Sequence, residues 1–255
     1  MNRSTLNKLV YAIALTACTG TSLAAGISRE VRESAQIDDF RQDGGYLELG
    51  VGIQVDSDND NSDLDVSVTI DYGYQWKGLF IDVNEDDFLT FGYNLKNTEH
   101  WSFDVLAGVE NRDLANKGYS SLSSSFTAGV RATGFYENNI FQFEIRNDAS
   151  DKHGGYHASA LAGKSWQIRN VNTHAVLGVY HSSNKLTQFH WKNDSLGSST
   201  EFTAEAGITY PISEKLVFRG KVNYLHRPES ITQNLFIHDE DSDLLSGSLS
   251  LSYVF

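Results

Sequence analysis

His181-Ser182-Ser183-Asn184 is a stretch whose residue types and spacing fit nucleophilic catalysis. On an extended chain alternate side chains share a face, so His181 stands beside Ser183 and an imidazole can take the hydroxyl proton as general base. Both have the parity of Leu177 and Val179, the apolar face, so the reaction would be Ser183 attack on a lipid ester. Such chemistry also needs a group to orient the imidazole and donors for an oxyanion. The sequence identifies neither. The plainer reading is a strand leaving an apolar layer, where polar residues cost little. The chain is therefore expected not to be an enzyme, with Ser183 and His181 as the only weak catalytic candidates.

Metal chemistry has one candidate of similar weight. Asp56, Asp58 and Asp60 put carboxylates at alternate positions of Asp56-Ser57-Asp58-Asn59-Asp60-Asn61-Ser62-Asp63, as a calcium loop begins. The sixth position is Asn61 rather than glycine and the twelfth is Ser67 rather than glutamate. A solvated acidic loop is the favoured reading, with weak divalent-ion binding near lipopolysaccharide as the alternative. His153, His157, His174 and His190 do not space themselves to close on one ion and read as scattered surface histidines. No cofactor is expected.

The elements that would carry these residues are extended. The formal charge of −13 excludes a nucleic-acid binder, because nothing would neutralise phosphates. No run reaches the roughly 20 apolar residues of a spanning helix, but barrel strands alternate and give only a weak hydropathy signal. Two prolines and 21 glycines, with abundant Tyr, Phe and Ser, suit many extended segments. Residues 1–25 read as a cleaved secretory signal: Arg3 and Lys8, an apolar Leu9–Ala17, then Ser22-Leu23-Ala24-Ala25. Cleavage there removes Cys18, the single cysteine, although Leu15-Thr16-Ala17-Cys18 also reads as a lipidation box. Residues 26–44 are polar and lack a period, a periplasmic tail.

From Gly45 to Phe255 the period is two. Apolar alternation centres on 47–55, 64–72, 79–83, 88–95, 103–109, 122–132, 140–145, 156–163, 171–181, 202–209, 216–224 and 244–255. That makes about twelve strands, an even number, as single-chain bacterial barrels require. Links alternate between short (75–78, 96–101, 134–139, 164–170, 210–215) and long and polar (56–63, 110–121, 146–155, 182–201, 225–243), except near 84–87. Short periplasmic turns opposite long external loops are the asymmetry of an outer-membrane barrel. Tyr72, Tyr74, Trp76, Phe103, Phe135, Tyr136, Trp166, Tyr210 and Tyr253 lie near strand ends, where an aromatic girdle belongs. The last strand puts Leu249, Leu251, Tyr253 and Phe255 on one face, the pattern recognised when such barrels insert. Arg131, Glu144, Arg146, Lys164, Arg219 and Lys221 fall inside strands, and most should face the lumen, since charge facing lipid at mid-depth costs about 2–4 kcal/mol. Opposite charges across the lumen would fill it and favour a plugged or narrow barrel.

Two stretches resemble families. Phe202-Thr-Ala-Glu-Ala-Gly-Ile-Thr-Tyr-Pro-Ile, Leu216-Val-Phe-Arg-Gly-Lys-Val-Asn-Tyr-Leu, a loop with Pro228-Glu229-Ser230 and the strand ending at Phe255 resemble the MipA/OmpV family of outer-membrane proteins. Asn147-Asp148, Gly154-Gly155-Tyr156 and Leu177-Gly178-Val179-Tyr180-His181-Ser182 occupy similar places. The likeness covers 45–255, is best after 140, and departs at the acidic loop near 56–65. It implies a scaffold linking the Gram-negative outer membrane to a murein hydrolase and a murein synthase, and it supplies no catalytic residue. His181-Ser182-Ser183-Asn184 separately resembles the active strand of outer-membrane phospholipases and lipid A deacylases. The expectation is thus an all-β, antiparallel up-and-down transmembrane barrel of about twelve strands over 45–255. It would sit among outer-membrane lipid and lipopolysaccharide and act as a scaffold. A narrow diffusion channel and a lipid hydrolase are the alternatives.

Overall fold

The structure is a computed structural model that describes residues 43–56, 65–83, 89–112, 123–191, 193–232 and 242–255. Twelve antiparallel strands close into one barrel in which each strand pairs with its neighbours in sequence and β1 pairs with β12. The first six are β1 (Gly44–Asp56), β2 (Asp65–Trp76), β3 (Leu79–Val83), β4 (Leu89–Asn97), β5 (Trp101–Arg112) and β6 (Ser123–Tyr136). They are followed by β7 (Asn139–Asp148), β8 (Tyr156–Ile168), β9 (Val171–Ser182), β10 (Ser199–Pro211), β11 (Leu216–His226) and β12 (Asp243–Val254). The expected barrel and strand number are both realised. Among the described residues no helix is long and apolar enough to cross a membrane.

Alternation decides which way each strand faces. On β1, Leu47, Leu49, Val51 and Ile53 are exposed while Tyr46 and Glu48 are buried. On β12, Leu249, Leu251 and Tyr253 are exposed while Ser250 and Ser252 are buried. An outer apolar surface around a polar interior inverts a soluble protein and is the pattern that lipid selects. Closure fixes this register: Leu49 faces Leu251 and Val51 faces Leu249. The Gly45 amide donates to the Phe255 carbonyl at 2.9 Å and the Phe255 amide to the Gly45 carbonyl at 3.0 Å, so the strand ends leave no open edge.

The connections sort by side as the sequence predicts. One rim has the short turns 77–78, 98–100, 137–138, 169–170 and 212–215, and the other has the longer connections. At the first turn Lys77 (φ 49°) and Gly78 (φ 82°) are both left-handed, the geometry whose twist matches the flanking strands and which glycine adopts without strain. Strands run further than the sequence pattern marks, because turn-adjacent residues such as Tyr136 and Ile168 still pair across the sheet although the surrounding residues are polar. Among the described residues two short helices were not anticipated, α1 (Asn184–Trp191) and α2 (Glu229–Thr232), both in long connections. Ser183 starts α1, its carbonyl accepting the Thr187 amide at 2.9 Å.

Candidate functional site

The interior is built from inward side chains that pair across strands. Arg219 on β11 and Ser250 on β12 both donate to the Glu48 carboxylate on β1, all three buried. Arg131 Nε on β6 donates to Asp104 Oδ2 on β5 at 3.2 Å and its guanidinium lies 5.1 Å from the Phe80 ring centre. Asn94 Nδ2 reaches Ser102 Oγ and Asp104 Oδ1, each at 2.7 Å. Arg146 Nε stands 2.6 Å from Glu144 Oε1 as a charge contact off the hydrogen-bond axis, while its Nη1 donates to Thr90 at 3.1 Å. His157 adds a contact to Glu144 at 3.5 Å, and Tyr46 donates to Asp82 at 2.8 Å. Ile140, Leu161 and Val176, packed by Phe135 and Tyr180, form an apolar patch on the β7–β9 wall. Buried pairs of this kind withstand loss of one partner poorly.

Lys164 departs from the expected inward placement. It faces outward on β8, one residue past inward Gly163, with Nζ 5.9 Å from the Trp166 ring centre. Near the periplasmic end of its strand a long amine extends to the interface, where a lipid-facing cation costs about 0–1 kcal/mol. The histidines are also not scattered over the surface. His174 is 2 % exposed with Nε2 2.9 Å from Glu205 Oε1, and His190 is buried in α1. His153 Nδ1 accepts the Gly155 amide at 2.9 Å and its Nε2 lies 3.2 Å from Ser125 Oγ. They pair locally instead of converging, and no group of three metal-ligating side chains occurs among the described residues.

The serine–histidine candidates are placed apart chemically. His181 Nδ1 lies 3.0 Å from Thr200 Oγ1 and its ring tilts against Tyr156. Ser183 Oγ accepts the Tyr156 amide at 2.9 Å where β9 gives way to α1. Asp56 ends β1, but its side chain and the residues Asp58 and Asp60 lie outside those described. Leu249, Leu251, Tyr253 and Phe255 all face outward, and the Phe255 ring stacks on Tyr74 at 6.5 Å and on Tyr253 at 6.3 Å.

The external mouth is covered on the β8–β12 side. Leu186 and Thr187 on α1 are 1 % and 2 % exposed, and Trp191, Leu196 and Ile231 pack into one cluster joining α1 to α2. Thr187 Oγ1 lies 3.4 Å from Ser199 Oγ, Phe189 packs on His153 at 4.7 Å, and the Arg227 guanidinium lies 5.7 Å from the Trp191 ring centre. Beneath this roof Ser199 and Glu201, at the mouth end of β10, are only 4 % exposed each. Sequence reasoning missed Glu201 because its strand was read from Phe202. The alternation of Glu201, Thr203 and Glu205 against Phe202, Ala204 and Ala206 is the signal that finds it.

An exposed apolar belt, a charged and paired lumen, and turns sorted by rim define an outer-membrane β-barrel of a Gram-negative bacterium. Its fold resembles the NanC porin (TM-score 0.51, 12% identity, 81% of this chain and 98% of that one). The CymD monoaromatic hydrocarbon channel (TM-score 0.45, 10% identity, 94% of each chain) and OmpT of Vibrio cholerae (TM-score 0.44, 5% identity, 84% and 98%) are further fold likenesses. No curated protein matches the chain. Residues 49–255 match the family described as MltA-interacting protein MipA, and the chain belongs to that family.

Proposed function

We propose that this barrel is a scaffold that holds murein-processing enzymes, a hydrolase and a synthase, against the outer membrane. The single observation that carries the reading is the paired interior: five carboxylates, Glu48, Asp82, Asp104, Glu144 and Glu205, are held across strands. A lumen so paired leaves the rims as the surfaces for partners, and the family's name, MltA-interacting protein, points to the periplasmic one. Its turns offer Lys77, Glu99, His100, Glu137, Arg169, Glu214 and Lys215, beside residues 26–44 in the sequence. Photo-reactive side chains at 96–100 and 137–139, with external sites as controls, test it in cells. Recovery of a murein hydrolase or synthase from the periplasmic sites alone is the expected result; no partner from any site rejects the scaffold.

A narrow diffusion channel is the second reading. Its support is the run of buried inward polar atoms without hydrogen-bond partners, Thr127 Oγ1, Gln142 Nε2 and Thr209 Oγ1, which water in a lumen would satisfy. Conductance steps in a planar bilayer would establish it. A lipid hydrolase is the third reading and the weakest, since the Ser183 hydroxyl already accepts an amide and His181 already meets Thr200. Lipid turnover unchanged by Ser183→Ala is the outcome expected of a protein that is not an enzyme.

A further inference from the structure

Glu201 breaks the pattern of the lumen. Glu48 has Arg219, Asp104 has Arg131, Glu144 has Arg146 and Glu205 has His174. Glu201 is 4 % exposed, yet its Oε2 is buried without a hydrogen-bond partner and no ion pair reaches it among the described residues. A buried carboxylate without a counter-charge is unfavourable, so one is kept where something else supplies the charge.

Its surroundings repeat the deficit. Thr203, the next inward residue of β10 and about 7 Å along the strand, is buried with Oγ1 unpartnered. Asn223 on β11, paired in register with Glu205, is buried with Oδ1 unpartnered. The Glu201 and Asn223 oxygens are acceptors and the Thr203 hydroxyl can accept as well as donate, so a group that carries N–H donors would satisfy them. The nearest cation in sequence register, Arg227, follows His226 at the end of β11, but its guanidinium is turned onto Trp191. Apolar groups complete the enclosure: Leu225 and Leu244 on the wall, Trp191 and Ile231 in the roof, all buried.

We propose that this wall beneath α1 binds a small aliphatic ammonium ion, with Glu201 receiving its charge, Thr203 a neighbouring N–H, and the apolar roof its alkyl chain. An ammonium group is both cation and donor, which a metal ion or an alcohol is not. The site faces the external mouth, away from the rim at which the scaffold reading places its partners, so either can fail without the other.

The probe is butylammonium chloride, added to the full chain folded in detergent, with butanol and potassium chloride at matched concentration as controls. Butylammonium is expected to raise the unfolding temperature by a few degrees, and equilibrium dialysis to find one amine per barrel. Glu201→Gln should abolish both while leaving the ligand-free barrel as stable as wild type or more so, because an unpaired buried charge has gone. Thr203→Val should weaken binding several-fold. No shift with butylammonium, an equal shift in Glu201→Gln, or an equal shift with potassium or butanol overturns the proposal. A ligand-free Glu201→Gln barrel that melts lower also overturns it, because the carboxylate is then paired within the protein.

Discussion

At Glu48 three strands meet in one carboxylate, with Arg219 and Ser250 donating from β11 and β12 across the seam where the barrel closes. Removing one partner leaves a buried charge uncompensated, so Arg219→Met should cost about 3–5 kcal/mol in a urea titration of the detergent-folded barrel. The double variant Glu48→Gln with Arg219→Met should recover most of that loss, because the charge is then gone from both sides. Equal losses in single and double variants would mean that the site is stabilised by packing rather than by charge. That Arg219 points inward was readable in the sequence: it alternates with Phe218 and Val222, and lipid does not accept charge at mid-depth. Lys164 was misplaced because period two gives a face but not a depth, and near the interface the penalty that sorts charges fades. Glu48 carries no signal of its partners, since register between distant strands sets who meets whom.

The strands were legible because each repeats one choice many times, apolar outward and small or polar inward, across up to 14 residues. The helix α1 offers only eight residues in a polar connection, with Leu186, Thr187, His190 and Trp191 as its buried stripe, too short for periodicity to separate from noise. Its stability comes from what it touches. Leu186 is 1 % exposed, and a Cβ built on Gly155 would stand 2.6 Å from the Leu186 amide nitrogen and 2.8 Å from Ser183 Oγ. Gly155→Val should therefore lift α1 from the β7–β8 turn, and Leu186→Ala should weaken the roof by about 2–5 kcal/mol. Both should speed cleavage within 184–198 by a protease added outside intact cells, while heat-modified mobility of the barrel on gels stays that of wild type. Loss of that mobility along with the cleavage would make the roof part of the barrel's own stability rather than an appended cap.

For the whole molecule, the question is what the final strand contributes to the finished barrel and what it contributes to assembly. Leu249 pairs with Val51 mid-way along β1 and faces lipid, so Leu249→Arg should cost about 2–4 kcal/mol, whereas Tyr253→Arg near the periplasmic end should cost about 0–1 kcal/mol for its charge. Phe255 is different in kind. Its main chain closes the barrel through Gly45, and those bonds survive any side-chain change. Its ring is 59 % exposed, lies over Gly45, which has no side chain to pack against it, and stacks on Tyr74 and Tyr253 with ring centres 6.5 Å and 6.3 Å away, so it supports the folded state weakly. Phe255→Ala should then shift the urea midpoint of the detergent-folded barrel little, by about 1 kcal/mol or less. If the terminal aromatic is read during insertion, the same variant should accumulate unassembled in the periplasm when expressed in cells. A large loss of stability in detergent with normal assembly in cells would reverse the assignment and make Phe255 a packing residue.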